Sequence, residues 1–366
     1  MVSTRSNLKE AILHKRPGIA GKRKLTGMVR WRSLPAFALL LWLVASAAFG
    51  RALEIRSIVL TVSDLDRSVA FYQAALGFVK VSEHTVADRD HDYAVGVFGA
   101  RVRIAALRLG GETVELAQYL SPAGMPVPPD SRANDLWFQH FAVVVSDMDK
   151  AYEHLGQAAF QAISSAPQTI PETNEAAAGI RAFKFKDPDG HPLELLYFPP
   201  GKGAAKWHRA TDKLFLGIDH SAITVGNTQR SLGFYRDLLG LRVLGSGLNS
   251  GTTQEHLDGA FGALVRVTGL RPENAQGPGL EFLQYLSPAG GRPAPSGARA
   301  NDIAHVRVVL EVDDLDHLVV DLTHANVGFI SPGVVTVPGI ACPRCLLVKD
   351  PDGHAVMLVE RAQALQ

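Results

Sequence analysis

Apolar and polar positions follow each other along this 366-residue chain in a pattern that predicts short strands and amphipathic helices. Residues 58–62 form an apolar run of the length typical of a buried strand. Apolar residues then recur at helical spacing, at Leu65, Val69, Tyr72 and Leu76. Gly77 supplies a helix stop, and further strands are predicted at 79–81, 102–109 and 113–119. The predicted order is therefore a strand, a helix and about three strands.

The same order recurs three more times along the chain. The second copy begins with the apolar residues 141–145, has a helix starting near Asp147, and ends in strands at 183–185 and 193–197. Residues 219–360 then repeat residues 56–198, including the turn sequence Asp-Pro-Asp-Gly-His at 187–191 and 350–354. Proline presets one turn dihedral and glycine takes the left-handed position, so this repeated turn is interpreted as scaffold. The pattern predicts an α+β protein of four βαβββ modules.

Length and repeat together predict the domain organisation. The chain is long enough for two domains that each bury a core. We expect a first domain over 53–198, a linker over 199–214 that is opened by proline and glycine, and a second domain over 215–362. The formal net charge of +1 gives no support to nucleic acid as a partner.

The first 52 residues differ from the rest of the chain. A strongly basic segment with the single acid Glu10 precedes an uncharged apolar stretch, and small-residue sites follow it. This layout is typical of a secretory signal peptide, and Met28 begins a compact signal by itself. The stretch from Leu34 to Phe49 is shorter than the ~20 residues that a membrane span needs. We expect a periplasmic or secreted protein, with a membrane anchor as the alternative if the signal is not cleaved.

The two cysteines, Cys342 and Cys345, lie in one Cys-Pro-Arg-Cys sequence. A thioredoxin-type motif would stand at a helix start, whereas this pair leads into the apolar residues 346–348, which are interpreted as a strand. A local disulfide and two thiols both remain open.

The module pattern resembles the vicinal oxygen chelate superfamily. Helices opened by an Asp-Leu-Asp-like phrase, at 64–66, 147–149 and 314–316, and the later modules' Asp-Pro-Asp-Gly-His turns carry the resemblance, which covers about residues 55–361. That group includes glyoxalase I, fosfomycin-resistance enzymes, bleomycin-binding proteins and extradiol dioxygenases. The resemblance implies two cup-shaped mixed-sheet domains, each pairing two modules. It also implies a divalent metal (Fe, Zn, Ni or Mn) held by residues from the first and last strands of each module.

The resemblance places one set of candidate ligands in the first half. The matching positions are Ser57, Glu115, His140 and Glu194, of which the last three suit a divalent metal. Glu194 lies in an otherwise apolar strand, where a carboxylate needs a partner or a metal to offset its desolvation. Glu115 and Glu194 are also the catalytic candidates, since either could serve as general base.

The second half offers a different set. When the second half is aligned with the first, His220 and Glu281 fall at ligand positions and Met357 falls at a third. The fourth position is Arg307 in the ungapped alignment, with His305 on the same strand face as an alternative. Methionine and arginine are poor ligands for a hard divalent ion, so the first half is the expected site of the metal.

Three functions are consistent with these residues. The first is an exported metal-dependent enzyme of the glyoxalase type, a lyase or isomerase that acts on a small oxygen-chelating substrate. The second is a ring-cleavage dioxygenase, which needs two histidines and one carboxylate on iron. The third is a non-catalytic periplasmic binding protein with two degenerate cups. Each predicts a small-molecule partner, no membrane contact after signal cleavage, and a monomer or homodimer.

Overall fold

Each module begins with an apolar strand that leads into a helix with a side-chain cap. The computed structural model describes residues 50–273, 276–295, 297–337 and 344–362. The cap residues are Asp64, Asp147, Asn227 and Asp314, and each accepts a hydrogen bond from a backbone N–H of the first turn. The first helix ends at Gly77, whose φ of 70° suits a residue without a side chain.

The helices and strands follow the predicted order. The first module comprises β1 Ala52–Thr61, α1 Leu65–Leu76, β2 Val79–Val86, α2 Arg89–Val95, β3 Arg101–Leu109 and β4 Glu112–Ser121. The second comprises β5 Gln139–Val145, α3 Met148–Leu155, β6 Gln161–Ala162, β7 Gln168–Thr169, β8 Arg181–Lys186 and β9 Pro192–Tyr197. A 3₁₀ helix, Ala205–His208, follows β9.

The second half repeats this arrangement. The third module comprises β10 Phe215–Thr224, α4 Thr228–Leu232, which continues as a π-helical segment Gly233–Leu238, β11 Arg242–Ser250, α5 Gly251–Asp258, β12 Leu264–Arg271 and β13 Gly279–Ser287. The fourth comprises β14 Val306–Val312, α6 Leu315–His324, β15 Gly328–Phe329, β16 Val335–Thr336, β17 Arg344–Lys349 and β18 Ala355–Glu360. The α+β class and the two cup-shaped mixed sheets are confirmed.

The modules pair across the two halves of the chain. Within the described residues there are two sheets of nine strands each. Sheet A joins the first and fourth modules in the order β15-β17-β18-β14-β1-β4-β3-β2, and β16 pairs with β17. Sheet B joins the second and third modules in the order β11-β12-β13-β10-β5-β9-β8-β6, and β7 pairs with β8. The antiparallel pair β1–β14 joins the two modules of sheet A, and the antiparallel pair β5–β10 joins the two modules of sheet B.

Both sheets present one face to the main cores and one concave face to a cup. On β5, Phe141 and Val143 point into a core that also contains α1 and α3, whereas His140 and Ala142 point to the other side, because side chains alternate along a strand. We call the concave face of sheet A cup A and that of sheet B cup B. The domain boundaries 53–198 and 215–362 stay a prediction. The strand pairing joins one half of the chain to the other and does not test where each half begins or ends.

The repeated Asp-Pro-Asp-Gly-His turns are buried hydrogen-bond networks. Asp187 accepts a hydrogen bond from the Tyr72 hydroxyl at 3.0 Å and lies 2.9 Å from Nδ1 of His191. The other ring nitrogen of His191 lies 2.7 Å from the carbonyl oxygen of Ile303, so this turn ties the two halves together. Tyr235 and Asp350 repeat the tyrosine contact in the second half at 3.2 Å. Both turns therefore have a structural role.

Two sequence predictions fall outside the described residues. The signal peptide, predicted over 1–52, lies almost wholly before residue 50, and Cys342 lies in the gap before β17. Cys345 is buried on β17, so the strand predicted after the cysteine pair is present. No helix within the described ranges is long and apolar enough to cross a membrane.

Candidate functional site

Four neighbouring strands in the middle of sheet B each place one polar side chain in cup B. The register aligns these positions: Ala142 pairs with both His220 and Glu194, and Ala222 pairs with both His140 and Glu281. Two of the four strands come from the second module and two from the third. The four side chains are Glu194 on β9, His140 on β5, His220 on β10 and Glu281 on β13.

These four side chains converge. Nε2 of His140 lies 3.4 Å from Oε2 of Glu194, and Nε2 of His220 lies 3.7 Å from the same oxygen. Nε2 of His220 also lies 3.5 Å from Oε2 of Glu281. The ligand atoms of His140, Glu194 and His220 all lie within 4.8 Å of one another, so these three residues could hold a metal ion.

The unused hydrogen-bonding atoms of these side chains fit a bound metal ion. Nε2 of His140 and Nε2 of His220 are buried, and neither has a hydrogen-bond partner among the described residues. Buried polar atoms are rarely left in this state. A cation bound between the two imidazoles and the two carboxylates would satisfy both nitrogens, and nitrogen and oxygen donors suit a transition metal. The residues therefore fit the divalent ion that the fold implies.

Burial and charge set the protonation of this cluster. Burial lowers the pKa of His140 to about 4, and the nearby Glu194 only partly opposes this. Burial also acts on His220, but the negative charges of Glu281 and Asp219 raise its pKa to about 9. For Glu194, burial is outweighed by His140, Lys184 and His220, which lower its pKa to about 2. Burial raises the pKa of Glu281, and the charge of Glu194 adds to that effect.

A neighbouring carboxylate orients one imidazole. Nδ1 of His220 lies 3.0 Å from Oδ2 of Asp219, which leaves Nε2 facing the cluster. Asp219 in turn accepts a hydrogen bond from the indole Nε1 of Trp207 at 3.0 Å. Such outer carboxylates fix the tautomer and ring orientation of a ligating histidine. The 3₁₀ helix that carries Trp207 thus contributes to the site.

Helix α5 covers cup B and is held there by a buried ion pair. Nζ of Lys184 on β8 donates to Asp258 at 2.8 Å, and both side chains are almost fully buried. Asp258 also accepts hydrogen bonds from the Tyr285 hydroxyl and from Nε2 of Gln254, both at 2.6 Å. Leu257 packs against apolar side chains of the cup. We call α5 the lid of cup B, since Leu257 and Asp258 at its end pack among side chains of the cup.

A cavity of about 500 Å³ adjoins the lid. Its lining includes Asp258 at the end of the lid, Phe261 beyond it, and Phe138, whose ring lies 5.8 Å from that of His140. Phe261 is 92% exposed. An exposed aromatic residue beside a covering helix is suited to contact a substrate that enters when the lid moves.

The structure divides the predicted first-half set. His140 and Glu194 lie together, but Glu115 lies on β4 of sheet A, where it accepts a hydrogen bond from the Ser57 hydroxyl at 2.8 Å. The prediction of one site made of Glu115, His140 and Glu194 is therefore wrong as a group, and so is a shared catalytic role for Glu115 there. The physical reason is the pairing of β5 with β10, which brings the third module, not the first, beside the second.

The second-half set is divided in the same way. His220 and Glu281 join the cluster in cup B. His305 does not, because it lies just before β14 and lines a different cavity beside the loops that join the modules. Arg307 occupies the fourth position, as in the ungapped alignment. Val59 pairs with Arg307 in sheet A in the same way that Ala222 pairs with His140 in sheet B. His305 is therefore wrong as a member of this set.

Sequence reasoning missed the combination of modules and three supporting residues. The signal for the combination was available, since the second and third modules supply two ligand-type residues each, whereas the first and fourth supply Glu115 alone. Asp219, Lys184 and Asp258 gave no comparable signal, because a single charged residue in a strand or helix is usually solvated.

Comparisons with known proteins agree with the fold. Residues 54–195 and 217–358 each match the family model described as Glyoxalase/Bleomycin resistance protein/Dioxygenase superfamily. A 2-epi-5-epi-valiolone epimerase of an Actinomyces species is 33% identical over 155 residues, which are 41% of this chain and 82% of the relative. Glyoxalase I from Zea mays is 18% identical with a TM-score of 0.58, covering 85% of this chain and 92% of that chain. At that identity the maize structure shows likeness of fold alone.

Proposed function

Because the chain belongs to the Glyoxalase/Bleomycin resistance protein/Dioxygenase superfamily, we propose that it is a metal-dependent isomerase or epimerase whose active site is cup B. The observation that carries the proposal is the convergence of His140, His220, Glu194 and Glu281, with both Nε2 atoms buried and unpartnered. The substrate is a small molecule with two neighbouring oxygen atoms. The epimerase relative supports this choice of reaction over the other chemistry in the superfamily.

The two histidines and Glu194 would hold the metal, with Glu281 beside them. A divalent ion bound there supplies a Lewis acid that polarises a substrate carbonyl. The donor set suits zinc, nickel, manganese or iron, so the identity of the ion is decided by measurement.

The two carboxylates are suited to different tasks. The pKa of Glu194 is held at about 2, so this group stays ionised as a ligand. The pKa of Glu281 is raised by burial, which brings it closer to that of a general base working near neutral pH. Carboxylates whose environments push their pKa values apart commonly divide acid, base and binding roles. We assign Glu281 as the group that removes a proton from the carbon next to the carbonyl. In an isomerisation it delivers that proton to a neighbouring atom, whereas epimerisation at the same carbon needs a second proton donor on the opposite face.

Water exclusion falls to the lid. The Lys184–Asp258 pair holds α5 over the cluster, and Leu257 fills the space above Ala142 and Leu196. A closed cup strengthens electrostatic interactions and protects a carbanion-like intermediate from stray protonation. Substrate entry requires the lid to move, as in many enzymes with covered sites.

A ring-cleavage dioxygenase is the second candidate, and one observation favours it. His140, His220 and Glu194 are two histidines and one carboxylate, the set that binds non-haem iron in oxygenases. Glu281 argues against it, because a fourth donor 3.5 Å from His220 occupies space that such sites leave open for substrate and oxygen.

Elemental analysis followed by isotope exchange tests the proposal. We expect about one equivalent of a transition metal per chain. The loaded protein is then incubated with 2-epi-5-epi-valiolone in heavy water, and deuterium at the carbon next to the carbonyl is measured by NMR. Incorporation that is lost in Glu281→Gln supports the isomerase. Oxygen consumption with a catechol, without deuterium incorporation, would establish the dioxygenase instead, and absence of both activities would leave a binding protein.

Export belongs to the same proposal. It is supported by the basic and apolar pattern of residues 1–52. Cell fractionation checks it: the chain should accumulate outside the cytoplasm without its first 52 residues. A chain that keeps those residues and sediments with membranes would indicate an anchor.

A further inference from the structure

Cup A holds a second large cavity with a different chemistry. The cavity measures about 880 Å³ and is lined by strands of sheet A and by helix α2. Its residues at the positions that match the cluster of cup B are Ser57, Glu115, Arg307 and Met357. A guanidinium therefore stands where cup B has the imidazole of His140. A fixed positive charge and a thioether exclude a hard divalent cation from this set.

Arg307 is buried and incompletely paired. Its exposure is 6%, and Nη1 has no hydrogen-bond partner among the described residues. No ion pair links it to any carboxylate in the part of the chain that the structure describes; the hydroxyl of Tyr119 is its polar neighbour. A guanidinium stays protonated in proteins and is rarely buried without an anionic partner. The missing partner is therefore an anion.

A second buried polar side chain lines this cavity. His91 on α2 is buried and lines the same cavity, and its Nδ1 has no hydrogen-bond partner within the described residues. Burial and then the charge of Arg307 lower the pKa of His91 to about 4, so the ring is neutral and carries one N–H. Asp88 also lines the cavity, and one oxygen of its carboxylate caps α2 by accepting a hydrogen bond from the backbone N–H of His91.

We propose that cup A binds a small organic monocarboxylate without a metal, with Arg307 as the charged donor and His91 as the second. A carboxylate matches the planar fork of a guanidinium and accepts from both groups. Part of the wall is apolar, with Val59, Ile104 and Val309 among its residues, and can hold an apolar body of the ligand. Glu115 and Ser57 line the same cavity, are hydrogen-bonded to each other, and can pair with a hydroxyl of the ligand.

This site is separate from the proposed active site. Cup A lies on sheet A and cup B on sheet B, so a substitution in one leaves the ligating side chains of the other in place. The inference does not rest on the proposed isomerase activity, and it stands even if cup B does other chemistry. A protein with one metal cup and one carboxylate cup would bind two different ligands.

The test uses the full chain and two matched pairs of probes. The protein is treated with a chelator so that no metal in cup B can bind the probes. Benzoate and mandelate are titrated by calorimetry, with the neutral amides benzamide and mandelamide as controls. We expect saturable binding of at least one acid with a Kd below about 10 mM, and at least about tenfold weaker binding of its amide.

Variants assign the binding to cup A. Arg307→Met should weaken acid binding by about tenfold or more, and His91→Phe, which keeps a ring without a donor, should weaken it by a smaller factor. His140→Ala in cup B is the matched control and should bind the acid as wild type does. If Arg307→Met does not fold, judged by its thermal unfolding, Arg307→Lys and His91→Phe provide the same comparison, because lysine keeps the charge without the planar fork.

Three results would overturn the proposal. The first is that neither acid binds below about 10 mM. The second is equal acid binding by wild type and a folded Arg307→Met or, in its place, by wild type, Arg307→Lys and His91→Phe alike. The third is loss of binding in His140→Ala with retention in the Arg307 variant, which would move the acid to cup B.

Discussion

At the scale of the residue, the metal cluster depends on groups that are not ligands. His220 presents Nε2 to the cluster because Nδ1 is engaged by Asp219, and Asp219 is held by Trp207. A histidine ring that turned freely would lose entropy on binding a metal. A ring whose orientation and tautomer are already fixed by a hydrogen bond loses less entropy. The resemblance placed His140 and Glu194 at ligand positions, and the apolar strand around Glu194 supported its assignment. It could not predict Asp219, because its role depends on the direction of one ring.

Asp219→Asn tests this orientation. The amide keeps the size of the side chain but removes the charge that stabilises the ring with its proton on Nδ1. We expect metal affinity to fall about 10- to 100-fold with little change in folding. Competition with a chromophoric chelator measures it, and Asp237→Asn, at an exposed acid paired with Arg236, is the control. Equal affinities for both variants would show that Asp219 does not orient the ligand.

At the scale of the element, short helices and turns control access and stability. The carboxylate of Asp258 holds the lid α5 by accepting hydrogen bonds from Lys184 on β8 and Tyr285 on β13, and it also accepts one from Gln254 within α5. In the sequence, residues 249–258 form a polar stretch. The sequence could not show that Asp258 is buried, because the identity of a residue does not reveal whether its carboxylate is solvated or buried.

Asp258→Asn should release the lid. The change leaves Lys184 charged and buried without a carboxylate, a loss that typically costs about 3–5 kcal/mol. Because opening α5 lets water reach Lys184, we expect the lid to open locally before the whole protein unfolds. Hydrogen exchange of the α5 amides should quicken, with α3 as an internal reference. Asp90→Asn, at an exposed residue of α2, is the matched control. Unchanged exchange in α5 would mean that Asp258 does not hold the lid.

The turn at 187–191 makes stability depend on pH. Burial alone would lower the pKa of His191, but the charge and hydrogen bond of Asp187 raise it from 6.5 to about 9. A raised pKa in the folded state stabilises the protein fully below pH 6.5, and this contribution is lost as pH rises through 9. The difference corresponds to about 3 kcal/mol as an upper estimate.

His191→Gln measures that contribution. We expect the free energy of unfolding of wild type to exceed that of the variant by more at about pH 6 than at about pH 10. Urea unfolding at both pH values gives the two differences. The exposed His324→Gln should show no such change with pH. A wild-type advantage that is the same at both pH values would show that His191 is not charged in the folded protein.

At the scale of the whole molecule, the central finding is how the four modules combine. Local pattern predicted each strand and helix, because hydrophobic period and caps act within a module. It could not predict which modules share a sheet, because the edges of β1 and β5 carry the same kind of apolar, alternating sequence and either could pair with several partners. The error in grouping Glu115 with His140 and Glu194 follows directly from that ambiguity.

Metal content in two single variants tests this combination most directly. We expect wild type to bind about one equivalent of a transition metal, Glu115→Gln to bind the same amount, and His220→Ala to bind almost none. Both variants change one polar residue of a cup, and they differ in which sheet it belongs to. Loss of the metal in Glu115→Gln with full retention in His220→Ala would contradict the account and return the site to the first half of the chain.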